Sequence, residues 1–149
     1  MITIENLRKS YGKLQVLKNV NVRFETGRVV SVIGPNGSGK TTMGKCILGM
    51  VLPDSGDIKI NGESILNQHA YRSQIGYMPQ RGAALNTVTV AETLYFTAHL
   101  RGFSRQDARQ ERDRLIALFD LGHLRDRPAT RISGGQSRLV LLATALATS

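Results

Sequence analysis

Acidic residues are scarce in this chain and cysteine is nearly absent. Eleven Asp and Glu stand against 20 Lys and Arg, giving a formal net charge of +9. The one cysteine, Cys46, has no partner for an internal disulfide and reads as a small buried residue on a helix. Aromatics make up only 5% of the residues, with no Lys/Arg run and no basic–aromatic interleaving, which argues against a stacking platform for nucleic acid. No apolar stretch approaches the ~18–20 residues that a membrane span needs. The longest, residues 139–147, is broken by Thr144. Met1-Ile2-Thr3-Ile4-Glu5 shows no charged segment leading into an apolar core, so no signal peptide and a cytosolic location are expected. With 149 residues, 41% of them hydrophobic, the chain suffices for one domain with a real core.

What is present is organised around Gly34-Pro35-Asn36-Gly37-Ser38-Gly39-Lys40-Thr41, which is G-x-x-x-x-G-K-[ST]. The apolar run Val29-Val30-Ser31-Val32-Ile33 precedes it, and a helix is predicted over 40–50. Strand, loop and helix are the context that a phosphate-binding loop requires. Its glycines leave room for phosphate against the backbone, and successive N–H groups at a helix start form an anion nest. In such a loop Lys40 meets the β- and γ-phosphates, the Thr41 hydroxyl ligates Mg²⁺, and Thr42 adds a hydroxyl on the α-phosphate side.

Alternating apolar residues predict strands over 1–7 and 16–24, then the loop strand over 28–33. The opening is thus an antiparallel β portion. Short strands are predicted over 57–60 and 74–78, with a turn at Asn61-Gly62. Beyond this the pattern turns helical. Thr89 and Glu92 fit a capping box for a helix over 90–101. Ser104 caps a helix from Arg105 to about Phe119, whose Arg105, Arg109 and Arg112 stripe reads as a solvated face with an Arg109–Asp113 pair. Ser133 caps a last helix, 134–147.

Ile132-Ser133-Gly134-Gly135-Gln136 opens that last helix. Together with the phosphate loop upstream, it resembles the Leu-Ser-Gly-Gly-Gln signature of the ATP-binding subunits of ABC transporters. Tyr11 lies where that family stacks an aromatic ring on adenine. Gln80, after Tyr77-Met78-Pro79, matches the glutamine that touches Mg²⁺ and the attacking water. The resemblance covers essentially the whole chain. It implies an α/β P-loop NTPase core with an N-terminal antiparallel β portion and an all-helical insertion. Residues 1–84 and 131–149 would be core-side elements and 85–130 the helical subdomain of one domain. The ligands implied are ATP and Mg²⁺. Lys40 and Gln80 would be catalytic, and residues 34–42 with Tyr11 would bind the nucleotide. Ser133, Gly134, Gly135 and Gln136 would meet the γ-phosphate of ATP held by a second subunit in a head-to-tail dimer. Membrane-spanning permease subunits would be the other partner, with the chain peripheral at the inner face of the cell membrane and no role for nucleic acid.

The chain departs from the family pattern in places. Ser137-Arg138-Leu139-Val140 and Thr144 stand where more arginine is usual, and Pro128-Ala129-Thr130-Arg131 replaces a glycine-and-glutamate loop common in fused exporters. No Asp-Glu dipeptide occurs. The last acidic residue is Asp126 and the last histidine His123. The expectation is a domain missing its C-terminal core strands and catalytic carboxylates, one that binds ATP without hydrolysing it alone. Two alternatives stay open: a non-transport ABC ATPase of the translation-factor type, and a degenerate nucleotide-binding fragment. The DNA-repair branch is disfavoured, because no heptads or long coiled coil separate Lys40 from Ser133.

Overall fold

A computed structural model describes residues 1–66, 68–79 and 88–147. They fall into two compact units, Met1–Arg72 and Ser73–Ser149.

The first unit is an antiparallel sheet carrying one helix. Strands β1 (Ile2–Tyr11), β2 (Leu14–Phe24), β3 (Ser55–Ile60) and β4 (Glu63–Ser64) lie in the order β2-β1-β3-β4. Ile4 pairs with Val22 on one side and Ile58 on the other, and Ile4, Leu7, Leu17 and Ile58 are buried. Such cross-strand apolar pairs are what stabilise a sheet with one covered face. The β1–β2 ladder is bulged. Its register shifts between Ile4 and Leu7, and again between Leu7 and Lys9. Asn6 and Asn19 sit at φ 51° and 59°, a region that asparagine enters more readily than most residues. The Asn6 amide donates to Asn21 Oδ1 at 2.8 Å, which holds the bulge. Asn61-Gly62 joins β3 to β4 with positive φ at both residues, as a type I′ hairpin turn demands. Helix α1 (Lys40–Ile47) buries Met43 and Cys46 and is shorter than the predicted 40–50. It stops where Gly49 turns to φ 64°.

The second unit is helical. It contains α2 (Val90–Leu100), α3 (Arg105–Leu118) and α4 (Gly134–Leu146). Val90, Leu94, Leu115, Leu121, Leu124 and Val140 form its core, with Phe119 and Ile132 packed against them. At these burials each large side chain contributes about 1.5–3 kcal/mol of transfer free energy. The predicted caps are present. Thr89 and Glu92 form a reciprocal capping box, and Ser104 Oγ accepts from the Asp107 amide. Among the described residues no helix is long and apolar enough to cross a membrane.

Three sequence expectations need correction. Residues 28–33 form no strand, and Val29 and Ile33 are 101% and 92% exposed. A ladder needs a neighbouring strand, and among the described residues none runs beside this segment. Residues 74–78 form no strand either. Ala70–Gln74 is a 3-10 turn, and the Ile75 carbonyl accepts from Arg101 at 3.3 Å rather than from a ladder partner. Finally, Asp113 does not pair with Arg109. It takes Arg112 at 2.8 Å and Arg125 at 3.2 Å, since the loop after Leu124 brings a second guanidinium to it.

Candidate functional site

In the first unit, the Gly34–Thr41 loop turns over the surface between the sheet and α1. Gly37 and Gly39 take φ of 82° and 91°. Gly39 is the position where sterics decide most. A Cβ there would stand 2.9 Å from Leu17 Cδ2 and 3.1 Å from the Val16 carbonyl oxygen. The loop therefore rests on β2 through a residue that has to be glycine. Gly39 is also the N-cap of α1 and has no side chain to cap with. The first-turn amides of Lys40, Thr41 and Thr42 have no intrahelical acceptor, by the geometry of any helix start. They are donors available to an anion, favoured by the helix dipole.

Lys40 reaches back across the loop. Its Nζ donates to the Gly34 and Pro35 carbonyls at 2.7 Å each and stands 3.4 Å from Ser38 Oγ. An ammonium has three donors; two are fixed tightly on carbonyls here and the third makes a long bond to the Ser38 hydroxyl. The charge is thereby held over the nest, and the long bond to Ser38 is the one a phosphate oxygen would most readily replace. Below the loop an open groove of about 320 Å³ is lined by Leu17, Val20, Val32, Ile33 and Met43 together with the loop itself. Thr41 is exposed and Thr42 half-buried on the first turn of α1. An exposed hydroxyl at that place suits a hard cation that keeps most of its own water, as Mg²⁺ does.

Tyr11 ends β1 opposite Leu14, at the tip of the hairpin. Its ring is 49% exposed, and Lys9 Nζ lies 5.7 Å from the ring centroid, within cation–π range. Lys9 is itself tied to Asp54 at 2.8 Å. That hydrogen bond raises the Lys9 ammonium above its ordinary value and, with the Ser10 amide, holds the Asp54 carboxyl below the usual carboxylate range. Gln80 lies outside the described residues.

In the second unit, Ser133 caps α4. Its Oγ accepts from the Gln136 amide at 3.2 Å, and Gln136 Oε1 accepts from the Ser133 amide at 2.9 Å. This box leaves Gly134 and Gly135 as the open donors. Among the described residues their amides have no acceptor, both glycines are exposed, and a Cβ at either would meet nothing within 4 Å. The start of α2 is built differently. There the Val90 and Ala91 amides donate to the Arg127 and Arg125 carbonyls at 3.0 Å, and the box closes the rest. One helix start is sealed by its own chain and the other is open.

The site residues read from the sequence thus fall into two groups. Lys40, its loop and the hairpin bearing Tyr11 belong to one unit, and Ser133–Gln136 to the other. Sequence reasoning missed Leu17 and Val16 as the support under Gly39. The bulge at Asn19 breaks the two-residue alternation, so that Leu17 and Val20 both face the groove.

Known proteins share this fold. A family model described as ABC transporter matches residues 17–149. The chain is 38% identical over 152 residues to the lipopolysaccharide export system ATP-binding protein LptB of Haemophilus influenzae, covering 99% of this chain and 63% of that one. It is 36% identical over 146 residues to the sulfate/thiosulfate import ATP-binding protein CysA of Synechococcus elongatus, covering 98% and 42%. The chain therefore spans less than two thirds of the length of these relatives. A dimeric, post-hydrolysis structure of the ATP-binding cassette MJ0796 with ADP and Pi superposes with a TM-score of 0.86 at 27% identity, covering 99% of this chain and 69% of that one. The fold is thus that of a P-loop ABC ATPase, and with the family match running over most of its length, the chain belongs to the ABC transporter family.

Proposed function

We propose that this chain is the nucleotide-binding portion of an ABC transporter subunit, holding ATP on its phosphate loop and presenting a signature helix to the ATP of a second subunit. One observation carries the reading: α1 and α4 both begin with unsatisfied first-turn amides, and only the first has a lysine held over it. A nest with a fixed cation holds a whole polyphosphate, whereas a bare nest receives a terminal phosphate supplied from outside. The open space around Gly134 and Gly135 supports this. Among the described residues nothing requires glycine there, which fits a close approach from another molecule.

In this reading residues 34–42 bind the phosphates and Tyr11 stacks on adenine. Thr41 and Gln80 hold Mg²⁺, which supplies neutralising charge at the β- and γ-phosphate oxygens. Residues 1–84 and 131–149 serve the nucleotide, and 85–130 faces membrane-spanning subunits at the inner surface of the membrane. The 149 residues contain no Asp-Glu pair, so binding and not turnover is assigned to this chain alone. Magnesium-dependent hydrolysis by the purified chain, abolished by Lys40→Ala, would overturn that assignment. The composite site is tested in the intact subunit. Ser133→Arg should leave ATP binding by the monomer near wild type and remove ATP-driven dimerisation. Loss of monomer binding as complete as in Lys40→Ala would mean that the signature serves its own subunit's nucleotide.

A further inference from the structure

We propose that the cleft at the C-terminal end of α1 is a binding site for a small amphipathic carboxylate. The cleft encloses about 260 Å³ and is built within Met1–Arg72. Ligand pockets commonly run from about 300 Å³ upward, so the occupant is small. Its deepest lining is Cys46, Ile65 and Tyr71, which are 2%, 6% and 8% exposed. Leu66 and Val51 extend the apolar wall and Arg72 lies at the mouth.

Two observations separate this cleft from an ordinary surface dimple. The first is the Tyr71 hydroxyl. Among the described residues no hydrogen bond holds it, and no buried side-chain oxygen lacks a partner, so the hydroxyl is the accessible end of a side chain otherwise nine-tenths buried. It is a polar group presented to the cleft with its hydrogen-bonding capacity unused. The second is Gly49. A Cβ there would collide with the Tyr71 hydroxyl and stand 2.8 Å from the Arg72 guanidinium, and the residue sits at φ 64°. The glycine lets both polar groups converge at one rim.

Charge selects the ligand class. Arg72 donates one N–H to the Gly49 carbonyl at 3.0 Å and has no carboxylate partner among the described residues. Its remaining donors form a planar fork suited to a carboxylate. That bond also covers a carbonyl at the negative end of α1, which would otherwise repel an anion. The acidic group nearest in influence to Cys46, Asp54, is already engaged by Lys9 and the Ser10 amide. An apolar body would therefore lie over Cys46 and Ile65, with its carboxylate at Tyr71 and Arg72.

Cys46 is the only cysteine, so its alkylation reports on the cleft without ambiguity of site. The full chain is labelled with N-ethylmaleimide at a fixed alkaline pH and followed by intact mass, with octanoate or 1-octanol present. Octanoate is expected to slow labelling in a saturable way, and octanol far less. Arg72→Gln should raise the octanoate concentration needed for equal protection about tenfold, the worth of one charge-assisted hydrogen bond. Arg72→Lys, which keeps the charge, should retain the preference for octanoate over octanol. Equal protection by octanol, or an unchanged octanoate dependence in Arg72→Gln, overturns the carboxylate class. Octanoate that leaves labelling unchanged or speeds it overturns the site.

Discussion

Lys40 holds the first carbonyl of its own loop: its Nζ lies 2.7 Å from the Gly34 oxygen, six residues back in the chain. The side chain that would meet a phosphate is thus already positioned by the loop that would cradle it. Lys40→Ala removes both the charge and the brace. ATP affinity should fall roughly 10- to 100-fold, as for loss of a charge-assisted hydrogen bond. Titration with a fluorescent ATP analogue checks this, with circular dichroism confirming the fold. Unchanged affinity would remove Lys40 from the site.

Two glycines should respond in opposite ways to alanine. Gly39→Ala places a methyl against Leu17 and the Val16 carbonyl at a positive φ. It should cost about 1–3 kcal/mol and distort the loop. Gly134→Ala meets open space at the start of α4 and should change stability by about 0.5 kcal/mol or less. In the intact subunit, however, it should impair ATP-driven dimerisation. Denaturant melts of both variants, with light scattering of the second, are the measurements. Severe destabilisation by Gly134→Ala would mean that this glycine serves its own fold.

The two capping boxes differ in one respect that pH can read. Glu92 closes the α2 box and Gln136 the α4 box. Hydrogen bonds from the Thr89 amide, then from its hydroxyl, hold the Glu92 carboxyl below its ordinary value. A depressed carboxyl stabilises the fold above the ordinary carboxylate range, and that contribution is lost as pH falls through the lower folded value. Acid should therefore loosen the start of α2 while the start of α4 keeps its cap. Hydrogen exchange at the Glu92 and Gln136 amides follows each end separately, and Glu92→Gln should flatten the response at α2. Simultaneous loosening of both ends in the wild type, short of global unfolding, would count against it.

For Tyr11 the expectation rests on exposure. A half-exposed ring at a hairpin tip is available for stacking. Tyr11→Ala should weaken ATP binding by about 1–3 kcal/mol, while Tyr11→Phe preserves it. Equal affinity in wild type and Tyr11→Ala would return this residue to the hairpin surface.

Where the sequence was legible, the signal was local. Thr89–Glu92, Ser104–Asp107 and Ser133–Gln136 announce helix starts through side chains that bond backbone three residues away, and all three are present. Asn61-Gly62 likewise declares its turn. The failures are non-local. Residues 28–33 have every apolar mark of a strand, but a strand exists only beside another. Asp113 has an arginine four residues before it on the helix, yet takes its neighbour Arg112 and adds Arg125 from the loop after Leu124. At the site, the Gly-Lys-Thr loop was plain because glycine spacing is dictated by phosphate. The support beneath it was not, because a bulge is a backbone event that leaves little mark in residue type.

That support restricts how this hairpin can vary in length. Val16 and Leu17 lie under Gly39 because the irregularity at Asn19 sets which side chains turn inward. One residue added or lost between Leu17 and Val20 would exchange inner and outer positions and bring a polar side chain beneath the loop. The tip at Gly12 and Lys13 carries no such constraint, since lengthening it leaves the downstream parity intact. Among descendants of this chain, insertions should accumulate at the tip and be absent a few residues later, within the same strand.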